Sequence, residues 1–135
     1  GGLKAINDAL GHLAGDELLR EVGRAIAGIV RRGDLVARYG GDEYAVMAPR
    51  TNADQALALA NRIAEELRRR VFDIQGVAAS VTASIGAAVS DPADEDASAV
   101  VSRADDGLYR AKARGGDRVC FVAAEEGQDG QDSQD

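Results

Sequence analysis

Tryptophan is absent, and two phenylalanines and three tyrosines are the whole aromatic complement. A core must therefore be packed from Ala, Val, Leu and Ile, and no aromatic platform for stacking a nucleic-acid strand is available. Basic charge is also short. Sixteen Lys and Arg stand against 23 Asp and Glu, a net −7, which argues against broad contact with a phosphate backbone. Five of those negative charges lie in the last thirteen residues (Glu125, Glu126, Asp129, Asp132, Asp135), so the body carries only −2 and an anionic ligand would meet local rather than global positive potential. The single cysteine, Cys120, excludes an internal disulfide; within Val119-Cys120-Phe121-Val122 it reads as a small buried hydrophobe. No apolar stretch approaches the roughly 18 residues of a membrane span, and no signal-peptide pattern is present. The segment is expected to be cytoplasmic and to make no membrane contact, leaving any membrane anchor to a parent protein. Its start, Gly1-Gly2 without Met, is that expected of a fragment.

The 135 residues suit one domain, expected over 1–122, followed by an acidic disordered tail over 123–135. Residues 3–10 suit a short helix ending at Gly11. Leu18, Leu19, Val22, Ile26, Ile29 and Val30 recur at helical spacing and predict a helix near 16–32, with Gly15-Asp16 as its start and Gly33 as its stop. Two β-prone runs, 35–39 and 44–47, flank Gly40-Gly41-Asp42-Glu43 and predict a hairpin. Ala56, Leu59, Ala60, Ile63, Ala64 and Leu67 predict a helix over 53–70. Strands are expected at 71–74, 81–89 and 118–122, and a helix at 97–114 with Val100, Val101, Ala104, Leu108 and Ala111 inward. This order is that of an α+β, ferredoxin-like βαββαβ sandwich, an antiparallel sheet flanked by helices, with its N-terminal strand missing. That strand would precede the first long helix and pair in the middle of the sheet.

The turn at 40–43 carries the chemistry. A turn that only reversed the chain would need neither acid, and adjacent carboxylates repel unless a bound cation offsets them, as when Mg²⁺ is held by one or two carboxylates plus substrate phosphates; two solvated surface acids are the plain alternative. Gly40 and Gly41 tolerate positive φ and let a ligand approach the backbone. The run Gly40-Gly41-Asp42-Glu43-Tyr44 closely resembles the GGDEF signature, with Tyr for the last Phe. Lys4-Ala5-Ile6-Asn7-Asp8, Gly11-His12 and Gly15-Asp16 upstream, and Ser84-Ile85-Gly86 and Ala104-Asp105 through Leu108-Tyr109 to Ala111-Lys112 downstream, resemble further motifs of that family in the same order. Five further motifs in the same order across residues 2–122 are far more specific than the signature alone.

The resemblance implies a nucleotidyl-cyclase-type fold and a diguanylate cyclase: two subunits, each holding one GTP, join them into cyclic di-GMP and release pyrophosphate. It implies Mg²⁺ or Mn²⁺, a homodimer for catalysis, an upstream sensor domain, and bacterial second-messenger signalling without any nucleic-acid polymer. By position, Asp42 resembles the metal-ligating catalytic acid, Glu43 the supporting acid, and Lys4 and Lys112 the triphosphate-neutralising lysines. Gly40 and Gly41 would lie against substrate. Asn7, His12 and Asp16 resemble the guanine-reading set, where a carboxylate accepts from N1 and N2 and an amide can donate and accept. Their plain alternatives are turn and N-cap roles for Asn7 and Asp16, and loop packing for His12. Arg31 and Asp34, with Arg62 on a facing helix, resemble an inhibitory site for the cyclic product; a basic helix end is the alternative for Arg31. Two departures stand out. Gly116 replaces an Arg that the family often has, and the first Asp of the family's D-x-D metal motif would fall before residue 1. The competing reading is thus a catalytically inactive domain that binds cyclic di-GMP or GTP as a regulatory module.

Overall fold

The computed structural model describes residues 2–31, 35–38, 43–47 and 52–124. The chain begins with α1 (Gly2–Leu10) and α2 (His12–Ala27), separated by Gly11 at φ +94°, a backbone conformation that L side chains rarely adopt. The two helices pack through Ile6, Ala14, Leu18 and Val22, all buried. β1 (Leu35–Arg38) and β2 (Glu43–Met47) pair antiparallel in the register Leu35↔Met47 to Arg38↔Tyr44, the hairpin expected from sequence. α3 (Ala53–Arg69) follows a capping box: the Asn52 carboxamide accepts from the Gln55 N–H at 2.8 Å, and the Asn52 N–H donates to Gln55 Oε1 at 3.1 Å. Ala56, Leu59, Ala60, Ile63, Ala64 and Leu67 form its buried stripe, as the spacing predicts. A small hairpin, β3 (Phe72–Ile74) with β4 (Val77–Ala79), precedes β5 (Ser84–Ala88), α4 (Ala97–Ala113) and β6 (Arg118–Phe121).

The main sheet has the order β1-β2-β5-β6. Successive residues of a strand point to opposite faces, and β2 and β5 sort their side chains accordingly. Tyr44, Val46, Ile85 and Ala87 join the main core with residues of α2 and α3. Ala45 and Ala88 meet Ala104 of α4 instead. Helices therefore cover both faces, and all five residues of β5 are buried.

The α+β sandwich stands, but the sheet is mixed rather than wholly antiparallel. β2 runs parallel to β5 from Glu43↔Ser84 to Met47↔Ala88, and β5 parallel to β6. Two strands that each run antiparallel to a common middle neighbour must run parallel to one another. Among the described residues no strand precedes α2, and β2 and β5 lie side by side. Long crossovers through α3 and α4 supply the connections that parallel pairing needs.

Three boundaries also differ. α2 begins at His12 and ends at Ala27, not Arg32: past the C-cap Gly28 the chain tightens, with the Ile29 N–H on Ile26 O, three residues back, at 2.9 Å, and Ile29 and Val30 still pack on the core outside the helix. β4 is additional, made by a two-residue turn with Gln75 at φ 54° and Gly76 at φ 85°. The strand expected over 81–89 is confined to Ser84–Ala88. Cys120 is buried on β6, as expected.

α4 approaches the sheet closely because two glycines meet. A Cβ on Gly86 would lie closer than 3.0 Å to Ala104 O, Leu108 N and Gly107 C, all backbone atoms. One on Gly107 would lie 2.5 Å from Cys120 O. Backbone cannot swing aside as a side-chain tip can. Gly86→Ala should therefore destabilise the domain by about 2 kcal/mol, read as a lower urea midpoint at unchanged slope. A midpoint equal to wild type would show that α4 is not seated on that glycine.

Candidate functional site

Two groups of predicted residues are drawn together. The first is the corner between α1 and α2. Asn7 lies in the last turn of α1, where its carbonyl accepts from the Gly11 N–H at 2.8 Å. Its carboxamide packs into the seam beneath Gly15, with Oδ1 buried and without a hydrogen-bond partner among the described residues. His12 and Asp16 are exposed and four residues apart on α2, hence on one helix face. An amide, an imidazole and a carboxylate thus share one corner.

The second group lies at the N-terminal ends of the parallel strands, where Glu43, Ser84 and Arg118 are register partners. Glu43 opens β2 and is ion-paired with Lys112, from the last turn of α4. Buried Ser84 accepts the Asp117 N–H at 3.3 Å, and Asp117 takes both Nε and Nη2 of Arg68 from α3, at 3.3 and 3.0 Å. Gly116 sits in this turn at φ +75°, where a Cβ would stand 3.1 Å from Ser84 Oγ. The turn after α4 is thereby tied to α3 and β5, and Lys112 is carried on an anchored helix end. Ser84 was visible in sequence only as part of a motif, and nothing in sequence marked Arg68.

Lys4 makes an exposed ion pair with Asp8, one turn further along α1, at 2.9 Å. Gly40, Gly41, Asp42 and Asp34 lie outside the described residues, as does the tail from residue 125. Arg31 and Arg62 line one cavity of about 280 Å³ between the end of α2 and α3, with Ile29, Gln55 and Leu59. Arg62 also borders a neighbouring cavity of about 260 Å³ that Arg24 and Arg70 enter. Glu21 and Glu66 line that second cavity too and pair with Arg24 and Arg70, so its charge is mixed, whereas among the described residues the first cavity is lined by Arg31 and Arg62 without an acid.

Among the described residues no group of three His, Cys, Asp or Glu side chains gathers to hold a metal ion. Glu43 is the described acid of the turn, and a lysine already engages it. That donor set does not by itself make a cation site, because hard divalent ions need several oxygen ligands.

The family profile described as "Diguanylate cyclase, GGDEF domain" matches residues 2–118. The chain belongs to the GGDEF domain family. Among curated relatives, the domain is similar to diguanylate cyclase A of Treponema denticola, 41% identical over 86% of this chain and 31% of that protein. It is also similar to the cyclic di-GMP phosphodiesterase PdeR of Escherichia coli, 38% identical over 93% of this chain and 19% of that protein. The chain thus spans less than a third of either. Among solved structures, the GGDEF domain of DgcB from Caulobacter crescentus, in complex with c-di-GMP, superposes with a TM-score of 0.71 at 28% identity, over 91% of this chain and 72% of that one. No helix among the described residues of this GGDEF domain is long and apolar enough to cross a membrane.

Proposed function

We propose that this GGDEF domain is catalytic and condenses two GTP molecules into cyclic di-GMP, one nucleotide on each subunit of a homodimer. The observation that carries the reading is the meeting of Glu43 with Lys112, from positions 69 residues apart, next to the signature turn. A turn with only a structural task has no use for an imported cation. A triphosphate site does, since charge grows on the phosphates as the bond to the leaving group breaks.

In this reading Asn7 and Asp16 hold the guanine edge, and His12 borders it. Lys112, and Lys4 once it leaves Asp8, offset phosphate charge. Each 3′-oxygen attacks the α-phosphorus of the opposite GTP, its proton passes to a carboxylate of the turn, and the bond to the β-phosphate oxygen breaks to release pyrophosphate. The event happens twice. The protein's share is placement, which can lower the barrier by about 7 kcal/mol or more when reacting atoms are held in line. Members of the family generally use a divalent metal ion, and Mg²⁺ or Mn²⁺ held through Asp42 would supply polarisation of the α-phosphate. The cytoplasm, where GTP is available, is the proposed location, with a sensor domain upstream.

The second reading, a regulatory module that binds cyclic di-GMP without making it, is favoured by one observation: Arg31 and Arg62 line a common cavity. With Asp34 they would form a product site, and in a catalytic domain that site would give product inhibition. One experiment separates the readings. GTP and Mg²⁺ are incubated with the 135-residue chain, and with any longer natural polypeptide that carries it, and cyclic di-GMP is quantified by mass spectrometry. Accumulation of product supports catalysis. Tight binding of added cyclic di-GMP with no turnover in either form transfers the case to the regulatory module.

A further inference from the structure

Gly15 is buried within the first turns of α2 although nothing in its backbone conformation demands glycine. What demands it is Asn7. A Cβ at position 15 would lie closer than 3.0 Å to both Oδ1 and Cγ of the Asn7 carboxamide, and 3.3 Å from Leu3 Cδ1. Leu3 can give way, because its contact is the far end of a flexible side chain. Asn7 cannot recede. Its neighbour Ile6 is 1% exposed, and its own carbonyl is held by Gly11 at the corner. A methyl group at 15 would therefore turn the carboxamide out of the seam.

The state of Oδ1 adds to this. A buried acceptor without a partner is costly, and side chains normally rotate to avoid it. Here the placement is kept by shape: the carboxamide fits the space left by Gly15, which sets where the amide stands and how its plane is turned. Guanine and adenine differ in the donor and acceptor pattern on the edge such an amide would read. Reversing or displacing an amide removes the distinction.

We propose that Gly15 is the positioning residue for Asn7: the missing side chain at 15 forms the seat that orients the carboxamide, so the size of residue 15 sets the preference for guanine over adenine. The inference rests on the reading of the α1–α2 corner as a guanine site. A glycine kept only to let two helices close would affect stability and leave base preference intact.

The test uses 3′-deoxy-GTP and 3′-deoxy-ATP, which lack the attacking hydroxyl, titrated with Mg²⁺ into wild type, Gly15→Ala, Asn7→Ala and the double variant. Wild type should prefer the guanine nucleotide. Each single variant should lose about tenfold of that preference, the scale of one well-placed hydrogen bond. The double variant should lose no more than Asn7→Ala alone, because both changes act through one carboxamide. A folded Gly15→Ala protein that keeps its preference, or a double variant in which the losses add, overturns the proposal. Should Gly15→Ala fail to fold, adding Asn7→Ala must restore folding, since it removes the group with which the methyl collides; failure to do so also overturns it. A wild type without guanine preference defeats the guanine-site reading itself, a result distinct from the other two.

Discussion

Asp42→Asn is expected to reduce cyclic di-GMP formation by about a thousandfold or more, with little change in melting temperature. The substitution keeps side-chain shape and removes only the charge, so the turn between β1 and β2 has no steric reason to rearrange. Removing a charge next to Glu43 also relieves repulsion. The folded domain should lose nothing by it, whereas the proposed reaction loses the carboxylate on which phosphate polarisation and acceptance of the 3′-proton would depend. Glu43→Gln provides the contrast. Because Lys112 is paired with Glu43, neutralising Glu43 removes one anionic partner of that cation as well as deleting an anion. Its effect on rate should be smaller, and nucleotide should bind no more weakly than in wild type. Product formation at the wild-type rate by Asp42→Asn would remove the catalytic reading, whatever Glu43→Gln did.

What sequence reasoning could reach depended on how far apart the interacting residues lie. α3 was legible because its apolar stripe and its Asn52 cap are local: the cap bonds to Gln55, three residues on. The outward run of β2 and β5 onto two faces follows from strand alternation, so the buried α+β sandwich was legible too. β4 was not, since Val77-Ala78-Ala79 is too short to show a period. The early end of α2 was missed because Ile29 and Val30 continue the apolar spacing past Gly28 while packing outside the helix. In the site, motif order pointed to Asn7, Asp16, Glu43 and Lys112 one by one. That Glu43 meets Lys112 across 69 residues, or that Asp117 is gripped by Arg68 across 49, is a product of tertiary packing that no local pattern encodes. Parallel pairing of β2 with β5 was likewise invisible, because pairing partners are set by the whole sheet and not by either strand's composition.

Arg103 is the clearest such case, and it carries the second large expected effect. Its charge gave the sequence every reason to place it on the outer face of α4, yet it is only 6% exposed. Its guanidinium forks onto both oxygens of Asp94 at 2.8 Å and donates to Val89 O at 2.8 Å. Asp94 also accepts the Asp91 N–H at 2.8 Å, through the Oδ2 that Arg103 shares, so one ion pair fastens the acidic loop ahead of α4 to the end of β5 and to α4 itself. Hydrogen bonding from Arg103 is the main reason that the Asp94 carboxyl titrates at about 2 rather than 3.8, with the Asp91 N–H adding to it and burial opposing it. The same pairing raises the Arg103 pKa. Truncation by Arg103→Ala strands a carboxylate and empties a buried volume, and should destabilise the domain by about 3 kcal/mol. Arg103→Lys restores charge but not the fork and should fall between. The pH dependence has a fixed sign. A carboxyl whose pKa is lower folded than unfolded stabilises fully above its unfolded value, and that stabilisation drains away as pH falls through the folded one. The stability difference between wild type and Asp94→Asn, measured by urea unfolding, should therefore hold steady above about pH 4 and shrink between about pH 4 and 2. A difference that stays constant across that window would mean that the charge of Asp94 contributes nothing to holding the loop.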